Sequence, residues 1–174
     1  MTTDRLVLRR PTMNDAASVY AYASDPEVTR YLSFPTHRSV ADAEQFLAAC
    51  ATRWGSGQEF CWLITLKDAG EVVGSIACRM GNHGPDIGYV LAKTYWRRGY
   101  MSEAAQAVVE WISAQPEVHR VWAFCDVENA ASMRVMEKVG MSREGTLRKW
   151  FVHPNLSPMP RDCFVYSRVR QDSP

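Results

Sequence analysis

A chain of 174 residues, 47% hydrophobic and 22% charged, has the size and make-up of one globular domain with one substantial core, and this excludes disorder. Its formal net charge of +1 supplies no global field for nucleic acid or an anionic membrane. No apolar run approaches the roughly 20 residues that span a bilayer, and the charged opening (Asp4, Arg5, Arg9, Arg10) has no signal-peptide core, so a cytoplasmic location is expected.

In chain order, residues 5–9 place Leu6 and Leu8 on one face and read as a strand that Pro11 ends. Thr12 with Asp15 has the capping spacing for a first helix, continued by Ala16, Val19, Tyr20 and Ala23. Asp25-Pro26 starts a short helical piece, with Asp as cap and Pro at its first position. Ser39 with Asp42 repeats the capping pattern ahead of Val40, Ala43, Phe46, Leu47, Cys50 and Trp54, which share one helical face as far as the turn at Gly55-Ser-Gly57. Strands are predicted at 60–66, 71–80 and 86–91, the first two joined by a hairpin turn at 67–70. Gly88, inside the third, marks a bulge, a close approach or a weak spot.

A helix from about residue 100 to 115 buries Met101, Ala104, Ala105, Val108 and Ile112, and Pro116 stops it. The strand at 119–126 alternates Val121, Ala123 and Cys125 against Trp122 and Phe124, so both its faces look covered. A shorter helix, 129–139, has Asn129 at its N-cap and Gly140 past its end. Two last strands, 142–152 and 162–169, flank a Pro-rich loop at 153–160 that is long for a hairpin. With no repeat or linker, residues 1–174 read as one α+β domain: a mixed, mostly antiparallel sheet of about seven strands with flanking helices.

Five cysteines, scattered and without a Cys-x-x-Cys pair, are expected as free thiols, and the four histidines lack ligand spacing. No metal site is expected, and each histidine reads as a surface or turn residue.

Chemistry concentrates between residues 88 and 105, where a strand gives way to a basic, aromatic turn that opens a helix. Unpaired N–H groups and the helix dipole favour an anion there. Gly99 lets the main chain come close, and Arg97 and Arg98 add charge, so the junction suits a diphosphate. Neither a P-loop ending nor a Gly-x-Gly-x-x-Gly dinucleotide fingerprint is present.

Trp96-Arg-Arg-Gly99-Tyr-Met-Ser-Glu-Ala104, preceded by Asp86-Ile-Gly-Tyr-Val-Leu91 and followed by Asn129-Ala-Ala-Ser132-Met-Arg-Val-Met-Glu-Lys-Val-Gly140, resembles the GCN5-related N-acetyltransferases (GNAT) of the RimJ/RimL branch. The segments Asp4-Arg-Leu-Val-Leu-Arg-Arg-Pro11 and Arg161-Asp-Cys-Phe-Val-Tyr166 extend the likeness over nearly the whole chain. The resemblance implies the acyl-CoA N-acyltransferase fold and acetyl-CoA as acetyl donor. It places the diphosphate on the amides of Arg98, Gly99, Tyr100, Met101 and Ser102, and the pantetheine arm along Tyr89, Val90 and Leu91, met also by Asn129.

Two departures stand out. Met101 occupies a position the family usually gives to Gly or Ala, which is tolerable where its side chain points into the core. Met136 stands where many relatives carry a proton-donating Tyr, and the branch then implies Ser132 as the acid that protonates the leaving thiolate, with water as the other source. Asp86, at a position where the family often has a carboxylate, is the candidate base; Glu59 and Glu144 are the alternatives. The expected reaction is direct attack of a primary amine, on a protein N-terminus or a small molecule, within a ternary complex. No nucleic-acid or membrane partner is expected, and a homodimer is allowed. A non-catalytic acyl-CoA sensor of the same fold is the rival reading; an RNA-binding module resting on Tyr95, Trp96, Arg97 and Arg98 lacks any RNA-binding signature.

Overall fold

The computed structural model describes residues 1–170. Its centre is a seven-stranded sheet in the order β1-β2-β3-β4-β5-β7-β6, built from β1 (Leu6–Arg9), β2 (Glu59–Leu66), β3 (Val72–Arg79), β4 (Asp86–Leu91), β5 (Arg120–Asp126), β6 (Ser142–Phe151) and β7 (Arg161–Val169). Five helices flank it: α1 (Ala16–Ala23), α2 (Pro26–Thr29), α3 (Val40–Gly55), α4 (Tyr100–Ser113) and α5 (Ala130–Lys138). The architecture is the mixed α+β sheet expected from the order of the predicted elements.

Strand alternation sorts side chains onto two cores. On one face, Trp62, Ile64, Ile76, Cys78, Ile87, Val121, Ala123 and Cys125 pack with Met101, Ala104, Ala105, Val108 and Ile112 of α4 and Met136 of α5. On the other, Leu63 and Val90 pack against Val19, Tyr22 and Ala23 of α1 and Ala43 and Leu47 of α3. Met101 is buried in the first core, the orientation that tolerates its size. Val40, placed on the apolar face of α3 by its spacing, is exposed instead, because it sits at the first residue of that helix, beyond the sheet contact.

One interruption positions everything that follows. β4 and β5 run parallel, yet they pair only at Asp86↔Trp122 and then diverge. The wedge leaves the β5 side of β4 without a ladder from Ile87 onward. On the opposite side, β3 and β4 keep an unbroken register from Gly74↔Leu91 to Arg79↔Asp86, so Gly88 carries no bulge. A Cβ added at Gly88 would meet the Arg79 guanidinium at 3.0 Å. Close backbone approaches are at Gly74, where a Cβ would lie 2.2 Å from the Val90 carbonyl oxygen, and at Gly84, where it would lie 2.5 Å from that of Arg120.

Candidate active site

The wedge opens into a cleft of about 1510 Å³. At one end lies the turn into α4, where Gly99 takes φ +81° as N-cap and no side chain caps the first turn. Arg97 is also left-handed, at φ 61°. Non-glycine residues hold that conformation at a cost, and such turns gather at ligand-shaping sites. The Trp96 indole donates to the Leu91 carbonyl at 2.7 Å and ties the turn to the end of β4.

Arg97, Gly99, Met101 and Ser102 line the cleft there. Arg98 and Tyr100, predicted alongside them, turn their side chains elsewhere: Arg98 lies over Tyr95, and the Arg5 guanidinium stacks on Tyr100 at 4.4 Å. Arg5 also donates to the Arg98 carbonyl at 3.0 Å and pairs with Glu103, so the residue just ahead of β1 braces the turn from outside. A glycine-capped helix start with free first-turn N–H groups and a neighbouring Arg97 fits a diphosphate, and the stretch Tyr89, Val90 and Leu91, which has no ladder on its β5 side and has the Leu91 carbonyl taken by Trp96, fits an amide-bearing arm.

Midway along the cleft, Asn129 accepts the Ser132 N–H at 3.1 Å through its side chain and so caps α5. The Ser132 hydroxyl is left for another partner, the Tyr89 hydroxyl at 2.9 Å, which also reaches the Ser132 carbonyl at 3.2 Å. Burial pushes the Tyr89 phenol up, more than the Ser132 bond lowers it, and keeps it protonated. Cys125 lines the cleft too, its thiol pushed up to about 12 by burial and therefore inert. Met136 is fully buried, so that position supplies no proton. The tyrosine hydroxyl beside Ser132 comes from a strand instead, a pairing that residues 43 apart in sequence did not signal.

Beyond Ser132 the cleft faces α2, α3 and the segment between them. Asp86 lies here, but its Oδ2 accepts two bonds from Arg79, the Nε at 2.9 Å and an Nη that is closer still. The carboxylate expected to relay a proton is committed to an ion pair. Glu59 lines the cleft and pairs with Arg53 at 3.4 Å. Glu144 is remote from it, bonded to Arg120 on β5 and Ser167 on β7, and chiefly the Arg120 bond holds its carboxyl at about 2.

The outer face of β5 was expected to be covered, yet Trp122 and Phe124 are half-buried and line the cleft. Two histidines depart from the surface reading. His37 and His153 are buried, line the cleft, and each leaves Nδ1 without a hydrogen-bond partner among the described residues. Burial pushes the His37 imidazole down, with Asp42 opposing. Single-residue spacing carried no signal for either, because their burial comes from loops folding onto the sheet.

The sequence profile of the acetyltransferase (GNAT) domain matches residues 5–142. An uncharacterized N-acetyltransferase of Bacillus subtilis, YoaA, is 31% identical over 98% of this chain and 96% of its own length. The solved structure of a GNAT-family acetyltransferase from Bacillus anthracis superposes with a TM-score of 0.84 at 30% identity, covering 97% of each chain. At 18% identity the likeness is one of fold alone: the microcin C7 self-immunity acetyltransferase MccE, solved with acetyl-CoA and AMP, gives a TM-score of 0.85 over 97% of this chain and 94% of its own. The profile match over residues 5–142 and a relative 31% identical over nearly the whole of both chains show the family: this chain belongs to the GNAT acetyltransferases, which draw their acetyl group from acetyl-CoA.

Proposed function

We infer that the chain, read as a single domain over residues 1–174, moves the acetyl group of acetyl-CoA directly to a primary amine, as a member of the RimJ/RimL branch acting on a protein N-terminus or a small molecule. The observation that carries the reading is the Tyr89–Ser132 hydroxyl pair midway between the helix start and the aromatic end of the cleft. Bound acetyl-CoA supplies the thioester carbonyl. The N–H groups at Gly99, Met101 and Ser102 hold the diphosphate, with those of Arg98 and Tyr100 adjoining, while Tyr89, Val90, Leu91 and Asn129 orient the arm. Ser132 gives its proton to the leaving sulfur, and Tyr89 restores it. Asp86 serves by fixing Arg79 over Gly88.

Met136, which has no proton to give, favours a non-catalytic sensor, and the Tyr89–Ser132 hydroxyl pair supports the catalytic reading in its place. Five buried free thiols suit a reducing cytoplasm. The test is thiol release from acetyl-CoA over a panel of peptide N-termini and small amines. Amine-dependent release supports the reading; tight acetyl-CoA binding with no release above the amine-free rate, for any amine, favours the sensor.

A further inference from the structure

Attack on a thioester needs a free amine, and an amine at neutral pH is mostly an ammonium ion, so something at the acceptor end must take a proton. The cleft is lined by five carboxylates, and every one is engaged. Glu27 pairs with Lys93 at 2.6 Å, Glu59 with Arg53, Asp86 with Arg79, and Glu128 with Arg161 at 3.0 Å. Asp42 accepts the backbone N–H groups of Arg38 and Ser39 at 2.7 and 2.9 Å. What remains open among the cleft's proton acceptors is imidazole.

Of the two buried imidazoles, His153 has the surroundings of a base. Its Nε2 lies 3.7 Å from Oδ2 of Asp126, a carboxylate with no solvent exposure. Asp126 is itself fixed, accepting Arg161 Nε at 2.6 Å and the Glu128 N–H at 2.9 Å. Burial alone would raise the Asp126 carboxyl; those bonds outweigh it and hold the group below the usual range, hence anionic. An anion beside Nε2 selects the tautomer with the proton there and leaves the Nδ1 lone pair free, matching a buried Nδ1 that has no hydrogen-bond partner among the described residues. Cys163 Sγ, at 4.0 Å from Nε2, is the other polar neighbour, and Tyr31 and Phe151 close on the ring edge-on. Asp126 directly follows Cys125, whose thiol neighbours Ser132, so the dyad sits at the same end of β5 as the proposed acid. His37 lies between Phe34 and Phe46, and the carboxylate that acts on it, Asp42, is taken up by the Arg38 and Ser39 N–H groups and is not a buried anion like Asp126.

We propose that His153, oriented by Asp126, is the base that deprotonates the acceptor amine. This rests on the acetyltransferase reading of the cleft. Nδ1 takes one proton from the ammonium group. The freed nitrogen forms the C–N bond as the C–S bond breaks, and the sulfur takes the Ser132 proton. The second proton shed by the nitrogen restores the hydroxyl pair, and the one on His153 leaves to water. His153 is the catalytic residue in this scheme and Asp126 a positioning residue.

The experiment compares the parent chain with His153→Gln on two acceptors: an alkylamine from the panel, and hydroxylamine, which is largely unprotonated at neutral pH. The acetyl-CoA-induced rise in Tm checks that the cofactor end of the variant is folded. The expected result is a loss in kcat of about a hundredfold on the alkylamine and under about fivefold on hydroxylamine, with loss of a one-proton acid limb in kcat/KM. The charged and titratable groups facing the ring, Asp126 from β5 with Arg161 and Cys163 from β7 and Tyr31 from the α2–α3 segment, are unchanged in the variant. Equal losses on both acceptors, or less than threefold on the alkylamine, overturn the proposal while leaving the enzyme reading intact. A parent chain that acetylates neither acceptor overturns that reading, and this proposal with it.

Discussion

At the residue scale, the division of labour at the start of α5 decides what Ser132 does. The cap is the Asn129 side chain taking the Ser132 N–H, so removing the hydroxyl leaves the cap in place and breaks the bond to Tyr89 and the contact with the Cys125 thiol. Ser132→Ala is therefore expected to cost about 1 kcal/mol of stability but about a hundredfold in kcat, with acetyl-CoA affinity unchanged. Single-turnover kinetics with titrated acetyl-CoA check this, and a loss of only a few-fold assigns the thiolate's proton to water. Asn129 was legible in sequence because cap chemistry is local, whereas Ser132 was reached only through the family resemblance. The Tyr89 hydroxyl, the Asp86–Arg79 pair and the buried His153 were not legible, since each depends on which strands and loops lie side by side. Gly74 was missed for the same reason: only the neighbouring Val90 carbonyl makes that position intolerant of a side chain.

At the scale of elements, helix starts were readable and the contacts that lock loops over the cleft were not. Thr12 and Asp15, Asp25 and Pro26, and Ser39 and Asp42 announced three helices, and the described caps use those residues. The segment between α2 and α3 is fastened from the far end of the chain. Asn155, in the β6–β7 loop, accepts the Thr36 N–H at 2.8 Å and donates to the carbonyls of Thr29 and Phe34, each also at 2.8 Å. Asn155→Ala frees that wall and is expected to cost about 1–3 kcal/mol in unfolding. It should raise the acceptor KM several-fold while leaving the acetyl-CoA KM alone. A second lock joins β1 to the turn before α1. The Arg9 guanidinium, with help from Thr12, holds the Asp15 carboxyl at about 2, against about 4 unfolded. A depressed folded value means that the stabilisation is complete above about pH 4 and is lost as pH falls toward 2. Urea unfolding should show about 1 kcal/mol less from this group at pH 3 than at pH 6, and Asp15→Asn should flatten that part of the acid limb.

At the scale of the molecule, neighbouring strands share extended ladders everywhere except between β4 and β5, which pair once and then diverge beneath helices packed on both faces. Ladder pairing is given up at the centre of the fold, and a ligand that threads the wedge restores contacts that the free chain lacks. Binding to the folded state alone stabilises by mass action, by about 2.7 kcal/mol at a hundredfold excess over Kd. For a chain of this length, 1 kcal/mol moves Tm by roughly 2–4 °C, so saturating acetyl-CoA is expected to raise Tm by about 5–10 °C. ADP, which reaches only the α4 end, should give a smaller shift. Gly99→Val separates the cleft from bulk stability. At φ +81° a β-branched residue is strained, and its Cβ would sit 3.4 Å from the Arg5 guanidinium that braces the turn. The turn must then rearrange and its N–H groups lose their aim, while neither core is touched. The variant should keep the ligand-free Tm within a few degrees of the parent, as a 1–2 kcal/mol strain implies, and lose most of the acetyl-CoA shift. A full shift in Gly99→Val would place the diphosphate elsewhere than the start of α4.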